Sequence, residues 1–283
     1  MKPAPFDYVR PQTLDEALER LSEAGDDAKV LAGGQSLVPV LNMRLLRPSV
    51  VVDLGRVQGL ASIESRNGSV AVGALATQRE LEDSAVARAR VPLVAEALPH
   101  VGHFVTRNRG TVGGSIAHAD AAAELPLCLA VLGGSVVAAS REGRREISAA
   151  DFFVTHFTTT LAPGELIVET LWPAPSGWAY AFEEFSQRRG DFALSAAAVA
   201  LRVEDGAVAE ARIGLASVVD RPTLLETDLV GRAVDAEAAR DAGEAAAASI
   251  EVWDGLHASA AYLRQLTRVC VERAVLRAWE NAS

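Results

Sequence analysis

Only two cysteines occur in the 283 residues, Cys128 and Cys270, each inside an apolar stretch (Leu127-Cys128-Leu129 and Val269-Cys270-Val271). Two thiols cannot hold a four-cysteine iron–sulfur cluster, and their setting predicts reduced, buried side chains rather than a disulfide framework. No run of about 18 apolar residues is present that would span a bilayer as a helix. The opening residues Met1-Lys2-Pro3-Ala4-Pro5 lack the apolar core of a secretory signal, so a cytoplasmic chain is expected. Basic residues are in deficit: 27 Lys and Arg face 37 Asp and Glu, for a formal charge of −10. That balance argues against a general binder of nucleic acid or anionic membrane, since both require cations to displace counterions. The G-x-G-x-x-G and G-x-x-x-x-G-K-S/T signatures are absent from any strand–turn–helix setting, which removes the usual nicotinamide and P-loop readings. No nucleophile stands at a recognisable spacing from a base. His100 and His103 lack a cysteine or carboxylate at zinc-ligand spacing, and are expected to face solvent.

What is present is a globular composition, 49% hydrophobic and 23% charged, in a chain long enough for two domains. Two glycine pairs stand out: Ala32-Gly33-Gly34-Gln35-Ser36, and Thr111-Val112-Gly113-Gly114-Ser115-Ile116-Ala117-His118-Ala119-Asp120. Adjacent glycines reach backbone angles other residues avoid and let a ligand approach the main chain. Their N–H groups, with a helix starting just after the turn, suit a phosphate or diphosphate, and Ser36 and Ser115 are placed to cap and to donate. A single Gly-Gly is more often a plain tight turn. Two, each followed by a hydroxyl, point to one shared anionic ligand. Arg107 and Arg109 stand where they could steer a diphosphate, although loop arginines more often face solvent. His118 beside Asp120 reads equally as an acid–base pair or as a hydrogen-bonded histidine beside a helix cap. The chain therefore reads as the holder of a large anionic cofactor that supplies the chemistry.

Along the chain, Thr13 with Glu16 opens a helix that stops near Gly25, and 29–31 and 50–54 are strands on either side of a helix predicted over 37–46. Residues 61–74 form a hairpin turning at Asn67-Gly68. Thr77 with Glu80 is a second capping box, and a helical stretch is predicted over 84–98. Asp120 is placed to cap a helix running to Leu132, which Gly133 stops. Strands are predicted over 136–138 and 165–171. Pro173-Ala174-Pro175-Ser176-Gly177 has linker composition and marks a boundary. Beyond it lie antiparallel strands over 179–186, 193–203 and 208–217, then helices over 235–250 and 259–279.

These blocks, taken in order, resemble the FAD-binding medium subunit of bacterial molybdenum hydroxylases of the carbon monoxide dehydrogenase and xanthine dehydrogenase type. The resemblance extends to Arg188-Arg189-Gly190-Asp191-Phe192-Ala193 and Tyr262-Leu263-Arg264, and so spans the chain. It implies an α+β fold: a two-subdomain FAD-binding domain of the vanillyl-alcohol oxidase (PCMH) type over 1–175 (subdomains about 1–55 and 56–175), then a smaller domain of antiparallel sheet plus helices over 176–283. It implies FAD with its diphosphate against Ala32, Gly33, Gly34, Gln35 and Ser36 and against Gly110, Thr111, Gly113, Gly114 and Ser115. By position Glu124 matches an acidic residue that bonds a cofactor hydroxyl and Ile167 an apolar contact near the ring; Lys29 and Val101 are further carry-overs, and Phe192 is placed near the isoalloxazine.

Three departures stand out: Gln35 replaces a histidine of some members, Ala121 a common proline, and Glu183-Glu184 a stretch where relatives place a lysine beside the cofactor. The resemblance also implies partners, a large molybdenum-binding subunit and a small subunit with two 2Fe–2S clusters, in a dimer of heterotrimers. The molybdenum cofactor and clusters would lie in those partners, which fits a chain with two cysteines. The flavin would pass electrons to an external acceptor. A stand-alone FAD-dependent oxidoreductase on the same fold is the alternative.

Overall fold

The computed structural model describes residues 2–282. A parallel three-stranded sheet comes first, in the order Asp7–Val9, Val50–Asp53, Ala28–Leu31. Its β-branched central run is crossed by the helix Leu14–Ala24, which buries Ala17, Leu18 and Leu21 against Val52, Leu54 and the more distant Leu166 and Val168. Thr13 caps that helix by accepting the Glu16 N–H, while the Glu16 carboxylate takes the Gln12 N–H at 2.7 Å rather than that of Thr13. Only one half of the capping box closes there. At Thr77 and Glu80 both halves do.

The second sheet is antiparallel, in the order Ile63–Arg66, Ser69–Gly73, Leu166–Pro173, Ser135–Ser140, Gly143–Ser148. Its first hairpin turns at Asn67 (φ 51°) and Gly68 (φ 79°), as a tight two-residue turn requires. A strand from late in the chain, Leu166–Pro173, takes the central position. The helix Val112–His118 lies against it. The next helix, Glu124–Leu132, is buried on every side and ends at Gly133 (φ 67°), whose N–H bonds the Ala130 carbonyl.

That apolar helix is buried all round because a third sheet covers it. This sheet runs Trp178–Ser186, Ala193–Glu204, Ala207–Ala216, Thr223–Leu225, all antiparallel. Alternation along Ala193–Glu204 sends Ala196, Ala198 and Ala200 into the core shared with Glu124–Leu132, and Ala197, Val199 and Leu201 into a second core beneath the helices Ala236–Ser249 and Ala260–Ala282. At Gly214 sheet and helix lie in close contact. A Cβ there would meet Val131 Cγ2 at 2.5 Å and Leu127 Cδ1 at 2.8 Å.

Three predicted elements differ. The helix expected over 37–46 is Leu37–Asn42, because Arg44 turns into the left-handed region (φ 59°) and bonds back to the Leu41 carbonyl. The stretch 84–98 is two helices, Ala85–Arg90 and Pro92–Ala97, broken at Val91, which Pro92 keeps out of helical geometry. Asp120 does not cap a helix: its Oδ1 accepts the Ala122 N–H at 2.9 Å in a local turn, and Glu124–Leu132 begins after Ala123.

Candidate functional site

Between the first sheet, the helix Val112–His118 and the loop leading into Ala193–Glu204 lies a cleft of about 730 Å³. Every residue assigned above to the cofactor borders it: Lys29 and Ala32 to Ser36 from one wall, Gly110, Thr111, Gly113, Gly114, Ser115 and Glu124 from another, and Val101, Ile167 and Phe192 around them.

The first glycine pair is an open cradle. Gly34 has φ +74°, and a Cβ on Gly33 would stand 2.2 Å from the Arg109 carbonyl oxygen. The two glycine segments are therefore in direct backbone contact, which only glycine at 33 permits. Among the described residues, no acceptor takes the N–H of Gly33, Gly34, Gln35, Ser36 or Leu37; the Gln35 side chain instead donates to the Gly33 carbonyl at 3.3 Å. Consecutive free N–H groups around a left-handed residue form an anion-binding concavity. Ser36 makes no capping bond with its side chain.

The second pair corrects the expectation of a matching turn. Gly113 and Gly114 lie inside the first turn of the helix Val112–His118, and its first N–H groups are engaged: Val112 with the Ala76 carbonyl (2.9 Å), Gly113 with that of Ala74 (3.0 Å), Gly114 with Thr111 Oγ1 (3.1 Å). Thr111, not Ser115, is the cap. Glycine serves close approach here, since a Cβ on Gly113 would sit 2.5 Å from that of Ala74. Free donors for an anion are thus concentrated in the first loop.

Of the two arginines that could have steered a diphosphate, Arg107 differs from both readings and Arg109 faces solvent as loop arginines more often do. Arg107 does not border the cleft; it is buried, paired with Glu82 at 2.9 and 3.1 Å, and donates to the carbonyls of Val101 and Gly102, each at 3.1 Å. It braces the cleft wall at Val101 and Gly102. Arg109 points outward and contributes its carbonyl against Gly33. His118 borders the cleft 4.8 Å from the Phe157 ring, and burial lowers its pKa against the opposing pull of Asp120. A neutral ring-contact histidine, rather than a proton-sharing pair, is what this setting produces. His100, expected in solvent, keeps 40% of its side chain exposed, with its ring tilted 5.3 Å from that of Phe182 and its Nδ1 3.8 Å from Glu184 Oε1.

Sequence reasoning missed Gln78. Its Oε1 is buried at the cleft beneath Gly110 with no hydrogen-bond partner among the described residues. A buried amide oxygen without a donor calls for a partner, which a ligand in the cleft could supply. Its position just after the Thr77 cap carries no signal of this. Among the described residues no group of three or more His, Cys, Asp or Glu could hold a metal ion.

A diphosphate cradle, an apolar wall at Ile167 and Val101, and an orphaned acceptor fit a dinucleotide cofactor with a large ring. The chain carries an FAD-binding domain: the family model described as FAD binding domain in molybdopterin dehydrogenase matches residues 4–175, and that described as CO dehydrogenase flavoprotein C-terminal domain matches residues 180–278. It belongs to the family of FAD-binding medium subunits of molybdenum hydroxylases. The chain is 42% identical to the 6-hydroxypseudooxynicotine dehydrogenase complex subunit alpha of Paenarthrobacter nicotinovorans, covering all of this chain and 97% of that one. The quinoline 2-oxidoreductase structure from Pseudomonas putida 86 superposes with a TM-score of 0.96 at 38% identity, over 100% and 99% of the two chains. Carbon monoxide dehydrogenase from Hydrogenophaga pseudoflava gives a TM-score of 0.96 at 34% identity over the whole of both chains.

Proposed function

We propose that this chain binds FAD in the cleft and serves as the electron-transfer subunit of a molybdenum-dependent oxidoreductase. Relatives are named subunit alpha of a 6-hydroxypseudooxynicotine dehydrogenase complex and carbon monoxide dehydrogenase medium chain, and the matching domain is described as that of molybdopterin dehydrogenase, which supports a large molybdenum-binding and a small iron–sulfur partner for this chain. Electrons enter from a partner's 2Fe–2S clusters and leave to an external acceptor. The observation that carries the reading is the run of free N–H groups from Gly33 to Leu37 beside a left-handed Gly34. FAD, when bound, supplies the one- and two-electron chemistry.

In this reading residues 1–175 form the FAD unit and 176–283 the smaller domain. The Gly33–Leu37 cradle takes the diphosphate, Thr111 to Ser115 bring the second wall close to it, and Glu124 and Gln78 offer hydrogen bonds. Ile167 and Val101 pack against the ring, and Lys29 offers a cation at the rim. Phe192, 73% exposed at the cleft, shields the ring from solvent. Phe192→Ala is expected to change the flavin reduction potential and the rate of electron release, measured by spectroelectrochemistry and stopped flow; unchanged values would remove that role.

The relatives carry different substrates in their names yet align over the full length of this chain. That supports placing substrate choice in the large subunit. A dimer of heterotrimers in the cytoplasm completes the proposal; among the described residues no helix is long and apolar enough to cross a membrane. The direct test is the absorbance spectrum of the purified chain with acid release of its ligand, and co-purification with the two partners. Near one FAD per chain is expected. A colourless protein that takes up no added FAD overturns the cofactor, and a chain that purifies alone and oxidises its own substrate overturns the complex.

A further inference from the structure

Among the described residues six other than glycine have a positive φ, and three of them are tied to one segment beside the cleft: Ala119 (φ 50°), Phe157 (φ 55°) and Ser217 (φ 71°). Ala119 ends the helix Val112–His118, and its carbonyl accepts the Phe157 N–H at 2.9 Å; the Ala121 carbonyl accepts the Ser217 N–H at 2.8 Å. Asn67 and Asp205 precede glycines in hairpin turns and have the short polar side chains that tolerate this region. Phe157 does not. A bulky aromatic residue in the left-handed region is an outlier, at a turn position that ordinarily falls to Gly or Asn.

The turn around Phe157 is held from several sides. His156 and Phe157 join the strands Phe153–Thr155 and Thr158–Thr159. The Thr160 N–H reaches the Phe152 carbonyl at 3.0 Å, Arg221 donates to the Val154 carbonyl at 2.7 Å, and the Thr155 hydroxyl donates to Asp220 at 3.2 Å. A locally unfavourable conformation persists where its surroundings over-determine it, and such residues gather at ligand sites.

What the turn achieves is the position of a ring. Phe157 borders the cleft with 60% of its surface exposed, and its ring lies 4.8 Å from that of half-buried His118 at an interplanar angle of 35°. Phe152 and Phe153, just before it, are buried in the core. Phe157 bears the strain without that burial. The helix Val112–His118 connects this pair of rings to the glycine cradle: a Cβ on Gly114 in its first turn would lie 3.8 Å from that of Ala32, and its seven residues extend about 10 Å to His118. The sugar or ribityl arm of a dinucleotide spans such a distance from the diphosphate.

We propose that Phe157, backed by His118, is a binding residue that stacks on one of the two planar heteroaromatic rings of the cofactor, and that its left-handed backbone is retained because it holds the phenyl ring at the cleft edge. This inference rests on the cleft being the FAD site.

The test uses the full chain freed of cofactor, with urea denaturation for stability and flavin fluorescence for the FAD dissociation constant. Phe157→Gly and Phe157→Ala both remove the ring, but only glycine suits the backbone. Phe157→Gly should therefore be the more stable of the two, while both raise Kd by the same factor, roughly two- to tenfold. Phe157→Tyr should keep the wild-type affinity. Competition of ADP and of FMN against FAD identifies the ring: the loss should fall on one of them and spare the other. A wild-type FAD affinity in the Gly and Ala variants, an affinity that follows stability across the two, or a loss shared equally by ADP and FMN overturns the proposal and leaves the cofactor reading standing. A wild-type chain that binds no FAD removes both.

Discussion

At the scale of single residues, Glu124 links stability to pH. Its pKa rises on folding from 4.5 to about 8, so between those values the folded chain holds a proton that the unfolded chain has lost. Stability must then fall as pH rises through that window, by up to about 1.4 kcal/mol per pH unit from this group, and level off above the folded value. Glu124→Gln should flatten that slope and raise stability near pH 8, measured by urea denaturation at several pH values. An unchanged slope would mean that Glu124 ionises in the folded chain as it does in the unfolded one. Gly33 offers a second residue-scale test. Its missing Cβ would lie 2.2 Å from a backbone carbonyl, which has no rotamer to relieve the overlap. Gly33→Ala should lose roughly 1–3 kcal/mol of stability and weaken FAD binding, since the two glycine segments must part. Equal flavin affinity in this variant would show that their contact does not shape the cradle.

At the scale of elements, local signals in the sequence located most of the structure. Asn67-Gly68 located a hairpin, Gly133 a helix end, and the apolar run over 193–203 a strand, whose burial on both faces only the structure discloses. What the sequence did not disclose depends on partners far along the chain. Arg107 was left between a ligand contact and a solvent-facing side chain because nothing near it in sequence suggested Glu82, 25 residues earlier, as its partner. The second glycine pair read as a turn because its N–H groups bond carbonyls of Ala74 and Ala76, beyond the reach of any local pattern. Glu184 was visible only as a departure from the family. The Arg107 clamp, which joins the helix Gln78–Asp83 to the loop at Val101 and Gly102, is open to test. Arg107→Gln leaves Glu82, which is partly exposed and also bonded to Arg79 at 3.4 Å, without its main partner and should cost roughly 1–3 kcal/mol. The double variant with Glu82→Gln should recover part of that loss. If it recovers none, the bonds to the two carbonyls rather than the ion pair are what hold the loop, and denaturation of the three variants separates the cases.

For the whole molecule, the boundary near Pro173-Ala174-Pro175 divides two family models but not the core. One apolar cluster runs from Val70 and Leu93 through the helix Glu124–Leu132 to Phe182, Ala198 and Ala216, so the third sheet completes the burial of a helix from the first part of the chain. Polar links cross the same seam: the Ser217 N–H bonds the Ala121 carbonyl at 2.8 Å, and Arg212 donates to the Val131 carbonyl at 3.2 Å. Two units that share a core should unfold together. Calorimetry of the intact chain is expected to give one transition, and saturating it with FAD at about a hundred times Kd should add about 2.7 kcal/mol, moving the whole transition up by roughly 5 °C. Gly214→Val, which forces a side chain into Leu127 and Val131, should lower that same single transition. Two separate transitions, with only the first responding to FAD, would show that the sheet packed on Glu124–Leu132 folds on its own.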